Sequence, residues 1–490
     1  MQNFSLKSVF MAVIISVIGN SNCYAQVGIG TTTPNDSSIL DVTSTTKGML
    51  TPRMTSVEKT AITAPVDGLL VYDTTLKSFY YYNGTTSAWT KTTSEADGRL
   101  KYKLIKSTDV LSTVLATELS AGVGTKYLLD SGTLYEINGT ILLNLPIELN
   151  NAYLTGYDSG DDKLIRSTGD LFTGSTGGTI RALTIVASTG NVFNIDGAGT
   201  ANMIFRDCIV ASSANVGLLK NFSLVFLSII QFVGNTTGII YENITKLLLS
   251  NTAWFGNNAG TYEKIVGTFG LVTKQGGFSE VIGTSNGFDV STNPTISGDA
   301  ILEGTVFTGT LTTGKYINPY TVGTYSGYNF NNKWNVRCAG VPTEIDAVSA
   351  GDINFDYPVG SGSSTNLSPT GTNVKLSGVT TSNNLFRFSR GGLDNRLQYL
   401  GTKKRFFRVS GSASFQSNAT GTTYIFFVAK NGTVINQSKV YINSNSTTDI
   451  LAIPIEAIVE LTTNDYVEVF AQRFSGTGNT LTVSLNLVVN

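Results

Sequence analysis

Eleven carboxylates lie near the short apolar strings in the middle of this 490-residue chain: Asp158, Asp161, Asp162, Asp196, Asp207, Glu242, Glu263, Glu280, Asp289, Asp299 and Glu303. Two carboxylates flanking a groove can cleave a glycosidic bond when about 5–9.5 Å apart. No pair here stands at a spacing that forces such a separation on one face. Asp158-Ser-Gly-Asp161 and Asp196-Gly197 are turn sequences first. The string Asp158–Asp162 carries enough oxygens for Ca²⁺ but lacks the spacing of a known calcium loop. The chain has no histidine, which removes Ser-His-Asp and Cys-His mechanisms and His-based zinc sites. Of three cysteines, Cys208 reads as a buried structural thiol within an apolar string, and a bridge to Cys338 lacks support. No catalytic, cofactor or metal-binding residue is assigned. Aromatic clusters are the remaining candidates: Tyr80-Tyr81-Tyr82 with Trp89, and Tyr325, Tyr328, Phe330 with Trp334. These can stack on sugar rings, but strand alternation turns half of each cluster inward, and core packing is the favoured reading.

The elements that would position these groups follow from a repeat. Six strings align at Ala187, Ala211, Phe232, Phe255, Phe278 and Phe307, at spacings of 21–29 residues. Such a period marks a solenoid. The strings are short, β-rich and separated by Gly and Asn, so the solenoid is a parallel β-helix over residues 121–310. Stacked rungs lie about 4.8 Å apart. Phe232, Phe255 and Phe278 are expected to form one interior ladder, each burial contributing on the order of 1.5–3 kcal/mol. Gly283–Ser297 is expected to be an outward loop.

Composition supports an all-β chain: 51 Gly, 41% hydrophobic and 14% charged residues, with a net charge of −1. That balance offers no broad basic field for nucleic acid. The dense basic run Lys403-Lys404-Arg405 with Arg408 reads as a solvated strand edge. Residues 1–25 read as a secretory signal peptide, with Lys7, the apolar run Val9–Ile18, and Cys23-Tyr24-Ala25 before Gln26. Asn22 fits poorly with lipidation of Cys23. No apolar segment is long enough for a transmembrane span. A secreted, cell-surface protein is expected.

Residues 26–91 form an N-terminal module. Asp73–Lys77 and Asn83-Gly84 predict turns between paired strands, and Met54–Ala61 one short helix. Its strings VGIGTTTP (Val27–Pro34) and ILDV (Ile39–Val42) resemble a leader module of secreted surface proteins of Bacteroidetes-type bacteria, and segments of phage tail-fibre proteins. The resemblance implies a fibrous exported protein and carries no catalytic residues. Residues 92–120 read as a connector or solenoid cap, helical at Asp109–Leu119, and 311–402 as a bridging β region. Residues 403–490 hold six alternating strands at sandwich spacing. Lys430–Gly432 with Asn464–Ala471 resembles the jelly-roll heads of the tumour-necrosis-factor and complement type, which implies a homotrimer.

The expected protein is therefore a right-handed parallel β-helix with a small N-terminal β module and a C-terminal antiparallel jelly-roll sandwich. Its expected role is adhesin-like or tail-spike-like, presenting the head to a surface polysaccharide or glycan. The alternatives are a polysaccharide lyase or glycoside hydrolase on the β-helix groove, and an inert surface-layer or matrix protein.

Overall fold

The computed structural model describes Met11, residues 26–92 and residues 101–490, in two units divided at Leu100. The signal-peptide reading of residues 1–25 lies, Met11 apart, outside the described residues.

In the first unit, Val27–Ile29 pairs in parallel with Leu40–Val42. A four-stranded sheet follows in the order Arg53–Met54, Leu70–Asp73, Ser78–Asn83, Ala88–Lys91. Its last three strands run antiparallel through the two turns read from the sequence. The helix is Ser56–Thr60, begun by a capping box: Thr55 accepts from the Glu58 amide, and Glu58 accepts from the Thr55 amide at 2.7 Å. Lys59 reaches back to the buried Asp73, Nζ to Oδ2 2.7 Å, under the Tyr80 ring. Among the described residues, Val71 is the one apolar side chain this unit buries. Ile39 and Leu50 are each 82% exposed, and Val27, Ile29, Leu40 and Val42 are also open.

The second unit begins as a β-helix. One parallel sheet of fourteen strands and another of nine enclose a continuous apolar core. The first rung strand is Tyr102–Lys106, paired with Leu134–Asn138, so the solenoid starts inside the stretch read as a connector. Two short helices, Leu111–Val114 and Ala116–Ala121, then pack Leu111, Val114, Leu115 and Leu119 onto that core. The last rung strand is Trp334–Ala339, beyond the expected limit of residue 310. Gly283–Ser297 is not a plain loop. It holds the rung strand Asn286–Asp289 and the pair Thr295–Ile296 with Thr268–Phe269.

The interior ladder differs by one residue from the expected one. Backbone pairing aligns Ile141, Leu164, Ile185, Val210, Phe232, Trp254, Ser279 and Phe307, all buried. Trp254, not Phe255, sits on Phe232, with ring centroids 3.9 Å apart and planes 8° from parallel. A slip of one residue reverses a strand's faces. Phe255 and Phe278 therefore turn outward and meet edge to face at 5.1 Å. Equal spacing misled because the paired positions are unevenly spaced along the chain. The turns absorb the extra residues.

Among the described residues of the solenoid, one ion pair has both partners fully buried. Lys274 occupies the inward column between Leu249 and Leu302. Its Nζ meets Glu263 at 2.8 Å and donates to Thr252 Oγ1 at 2.7 Å. Each charge is tolerable there only because the other is present.

The antiparallel sandwich takes strands from both sides of residue 403. Ala350–Asp356 lies in the stretch read as a bridge, yet it pairs with Thr480–Val489. Arg405–Ser417 and Leu451–Leu461 continue the same sheet. The other sheet is built on Thr422–Lys430 and Tyr466–Ser475. Phe407, Val409 and Leu485 from one sheet share a core with Phe426, Val428 and Val469 from the other. The bridge was hard to read because Ser363–Thr365, Asn373–Lys375, Leu385–Phe386, Phe388–Ser389 and Leu397–Tyr399 are too short to show a period, and Ala350–Asp356 pairs along its length with a strand far downstream.

Candidate functional site

Most of the eleven carboxylates are consumed by local structure. Asp162 is buried and accepts the amides of Gly139 and Tyr157 at 2.7 Å and of Asp158 at 3.0 Å. Burial pulls its pKa up, but those amides prevail and hold it below the ordinary carboxylate range. Asp158 accepts from Gly160 in the same turn. Asp207 pairs with Arg206 and Arg181, and Glu242 with Lys220. Glu280 accepts the Gly256 amide, and Glu263 faces the core. Among the described residues, no cluster of three or more His, Cys, Asp or Glu side chains is arranged to hold a metal. Both Cys208 and Cys338 are free thiols, and burial pushes Cys208 up to about 12.

Asp299 and Glu303 do share a cleft of about 540 Å³, with Arg337, Lys403 and Arg405 on its wall. They stand four residues apart along one extended segment, roughly 13 Å between Cα atoms at 3.3 Å per residue. Glu303 also faces Arg337 at 3.8 Å. This is a mixed-charge cleft, not a preset acid–base pair. The basic run beside it is largely paired: Lys404 with Glu460 at 3.3 Å and Arg408 with Glu456 at 3.1 Å.

The aromatic candidates separate cleanly. Phe330 and Trp334 are core residues, and the Trp334 indole donates to Tyr320 Oη at 3.0 Å. Tyr82 and Trp89 meet edge to face on the N-terminal sheet. Tyr328 remains half-exposed and stacks on the buried Phe386, with centroids 4.0 Å apart. Tyr325 closes the Phe386 ring from its edge and donates to Asn332 at 3.0 Å. Around Tyr328 opens a cleft of about 460 Å³, lined by Ser326, Pro342, Asn383, Asn384 and Leu385. The backbone amides of Asn383 and Asn384 are held by the Asp352 carboxylate, with Asn384 N at 2.6 Å. This fixes the two side chains at the rim. An aromatic face beside amides and hydroxyls suits a polar ring-shaped ligand with an apolar face. A second, shallower groove follows one solenoid corner past Asp196, Asn221, Asn243 and Thr268, formed by two hollows that share Asn243 and Thr245.

A buried clasp beneath the Tyr328 cleft escaped the sequence reading. Arg387 is 1% exposed. Its guanidinium binds the Asp346 carboxylate, the Trp334 carbonyl, and the Glu344 carbonyl at 2.8 Å. Asp346 also accepts the Lys403 amide at 2.7 Å. Glu344 accepts the amides of Asn329 and Phe330. Burial nevertheless outweighs those amides and raises its pKa. The clasp thus ties the last solenoid strand to the sandwich. An isolated Arg in the string NLFRFSR carries no signal of a partner about forty residues upstream.

With this geometry in view, comparison with known proteins adds one local match. Residues 28–108 match the family described as "Phage tail like trimerisation region". No curated protein matches the chain. Solved structures with a similar course include the enzymatically active domain of tailspike protein 4 of bacteriophage CBA120. It is 10% identical, covers 90% of this chain and 77% of that one, and has a TM-score of 0.26. The tailspike protein of Acinetobacter baumannii phage AM24 is 9% identical, covers 86% and 91%, and has a TM-score of 0.22. Likeness at that level carries no argument about activity.

Proposed function

We propose that this chain is an exported, homotrimeric, tail-spike-like fibre that recognises glycans. The observation that carries the reading is the N-terminal unit. It matches a trimerisation region, and among its described apolar side chains it buries Val71 alone while Val27, Ile29, Ile39, Leu40, Val42 and Leu50 stay exposed. Such a surface is costly in water unless other copies cover it. The β-helix supplies a stiff spacer, and the antiparallel sandwich is read as a jelly-roll head. Glycan recognition is assigned to the Tyr328 cleft, which lies ahead of residues 403–490, where the sequence had placed it. Residues 1–25, read from the sequence as a secretory leader, support display at a cell or particle surface. No helix among the described residues is long and apolar enough to cross a membrane.

A glycan array with the full chain tests this directly. Binding is expected, and Tyr328→Ala should abolish it while the chain still unfolds cooperatively, with a thermal midpoint lowered only by the loss of the Phe386 stack. A blank array, or binding that survives Tyr328→Ala, contradicts the assignment. The Asp299–Glu303 cleft keeps a polysaccharide-cleaving reading open. An assay for new reducing ends or unsaturated products, repeated with Glu303→Gln, decides it.

A further inference from the structure

Among the described residues, none that lines the cleft around Tyr328 is charged. Ser326, Asn383 and Asn384 are exposed there. Among the described residues, neither their side chains nor the Tyr328 hydroxyl is held by a hydrogen bond, so all are open to a ligand. A side-chain amide both donates and accepts, and so does a hydroxyl. Sugar hydroxyls do the same and match such a set. A carboxylate or sulfate on the ligand only accepts, and leaves the Asn oxygens without donors.

Charge acts in the same direction. Asp352, on the strand Ala350–Asp356, stands beside the rim of this cleft. Its carboxylate accepts the backbone amides of Asn383 at 3.3 Å and Asn384 at 2.6 Å, and the side-chain amide of Asn354 at 3.2 Å. All three donors are neutral. Among the described residues, no Lys or Arg forms an ion pair with Asp352. Arg387, against the Phe386 ring, is already bound to Asp346. A negative ligand in the cleft therefore meets a like charge with no cation to offset it, and such juxtaposition lowers affinity. The cleft beside Asp299 is different, because Arg337, Lys403 and Arg405 are present there to meet an anion.

We infer that Asp352 makes the Tyr328 cleft selective for uncharged glycans over glycans that carry carboxylate or sulfate groups. The inference rests on the glycan reading of that cleft and names the class of sugar it takes. Asp352 does this as a positioning residue. It fixes Asn383 and Asn384 through their backbone amides, and its charge repels an acidic ligand from beside them.

An array of matched pairs tests it with the full chain. Each oligosaccharide is presented in a neutral form and in a form with uronic acid or sulfate groups. The neutral member should bind about tenfold tighter at low salt, and the gap should narrow as added salt screens the charge. Asp352→Asn keeps an oxygen to accept the two amides and removes the charge, so it should shrink the gap severalfold. The wild-type comparison and its salt dependence stand without the variant. Acidic members that bind as tightly as neutral ones, in a way that Tyr328→Ala abolishes, overturn the selection and leave the glycan reading standing. A gap unchanged in Asp352→Asn overturns the role of Asp352. A blank array, or binding indifferent to Tyr328→Ala, overturns both the selection and the glycan reading.

Discussion

Residues 26–92 and the β-helix are both built from short alternating strands, yet they bury their apolar side chains on opposite plans. The β-helix stacks its inward residues on one another through ten successive strands, so each rung is the solvent shield of the next. The N-terminal unit has no such stack. It buries Val71 and a Lys59–Asp73 pair and leaves Ile39, Leu50 and Val57 open. One region closes its core within the chain. The other has side chains fit for a core but no second layer to close it, and more copies can supply that layer.

The comparison is best broken inside the solenoid first. Trp254→Ala should cost about 3–5 kcal/mol, because it empties a ladder position whose ring stacks on both Phe232 and Tyr262. Phe255→Ala, one residue on but facing outward, should cost about 1 kcal/mol or less in the chain freed of partners. Denaturant unfolding measures both, and equal losses would contradict the register. Arg387→Ala should also cost about 3–5 kcal/mol, since it leaves Asp346 buried without its partner. A loss under about 1 kcal/mol would remove the clasp from the account. In the N-terminal unit, Thr55→Ala should cost about 1 kcal/mol through loss of the capping box. It should leave the unfolding of the second unit unchanged.

The last effect is read against pH rather than denaturant: acid sensitivity at Asp465. Burial opposes its charge, but the Thr462 amide, Asn431 and Lys430 prevail and hold its pKa far below normal. A depressed folded pKa contributes stability above the unfolded value, near 3.9. That contribution is lost as pH falls below about 4. Asp465→Asn should flatten this part of the pH–stability curve of the sandwich, and an unchanged slope would count against it.

The legible parts of the fold were those with dense local signals. Alternation in Arg405–Ser417, Thr422–Lys430 and Tyr466–Ser475 announces strands directly. The strings KNG and NDYVEVFA do come together: Lys430 pairs with Asp465 at 2.9 Å, and Asn431 donates to the same carboxylate at 2.7 Å. The repeat revealed the solenoid but not its register, because Trp254 and Phe255 are equally apolar and only backbone pairing distinguishes them. Ala350–Asp356 was missed because its pairing partner lies more than 120 residues downstream. Tyr328 was named in the sequence within a cluster of four. Its separation from Phe330 and Trp334 depends on a loop that strand alternation does not describe.

The central claim is that the N-terminal unit completes itself with two further copies. Multi-angle light scattering of the full chain at micromolar concentration, repeated with Ile39→Lys and Val42→Lys together, measures this most directly. The account predicts three times the chain mass for the wild type and a lower mass for the variant. A wild-type chain that elutes at its single-chain mass would contradict it.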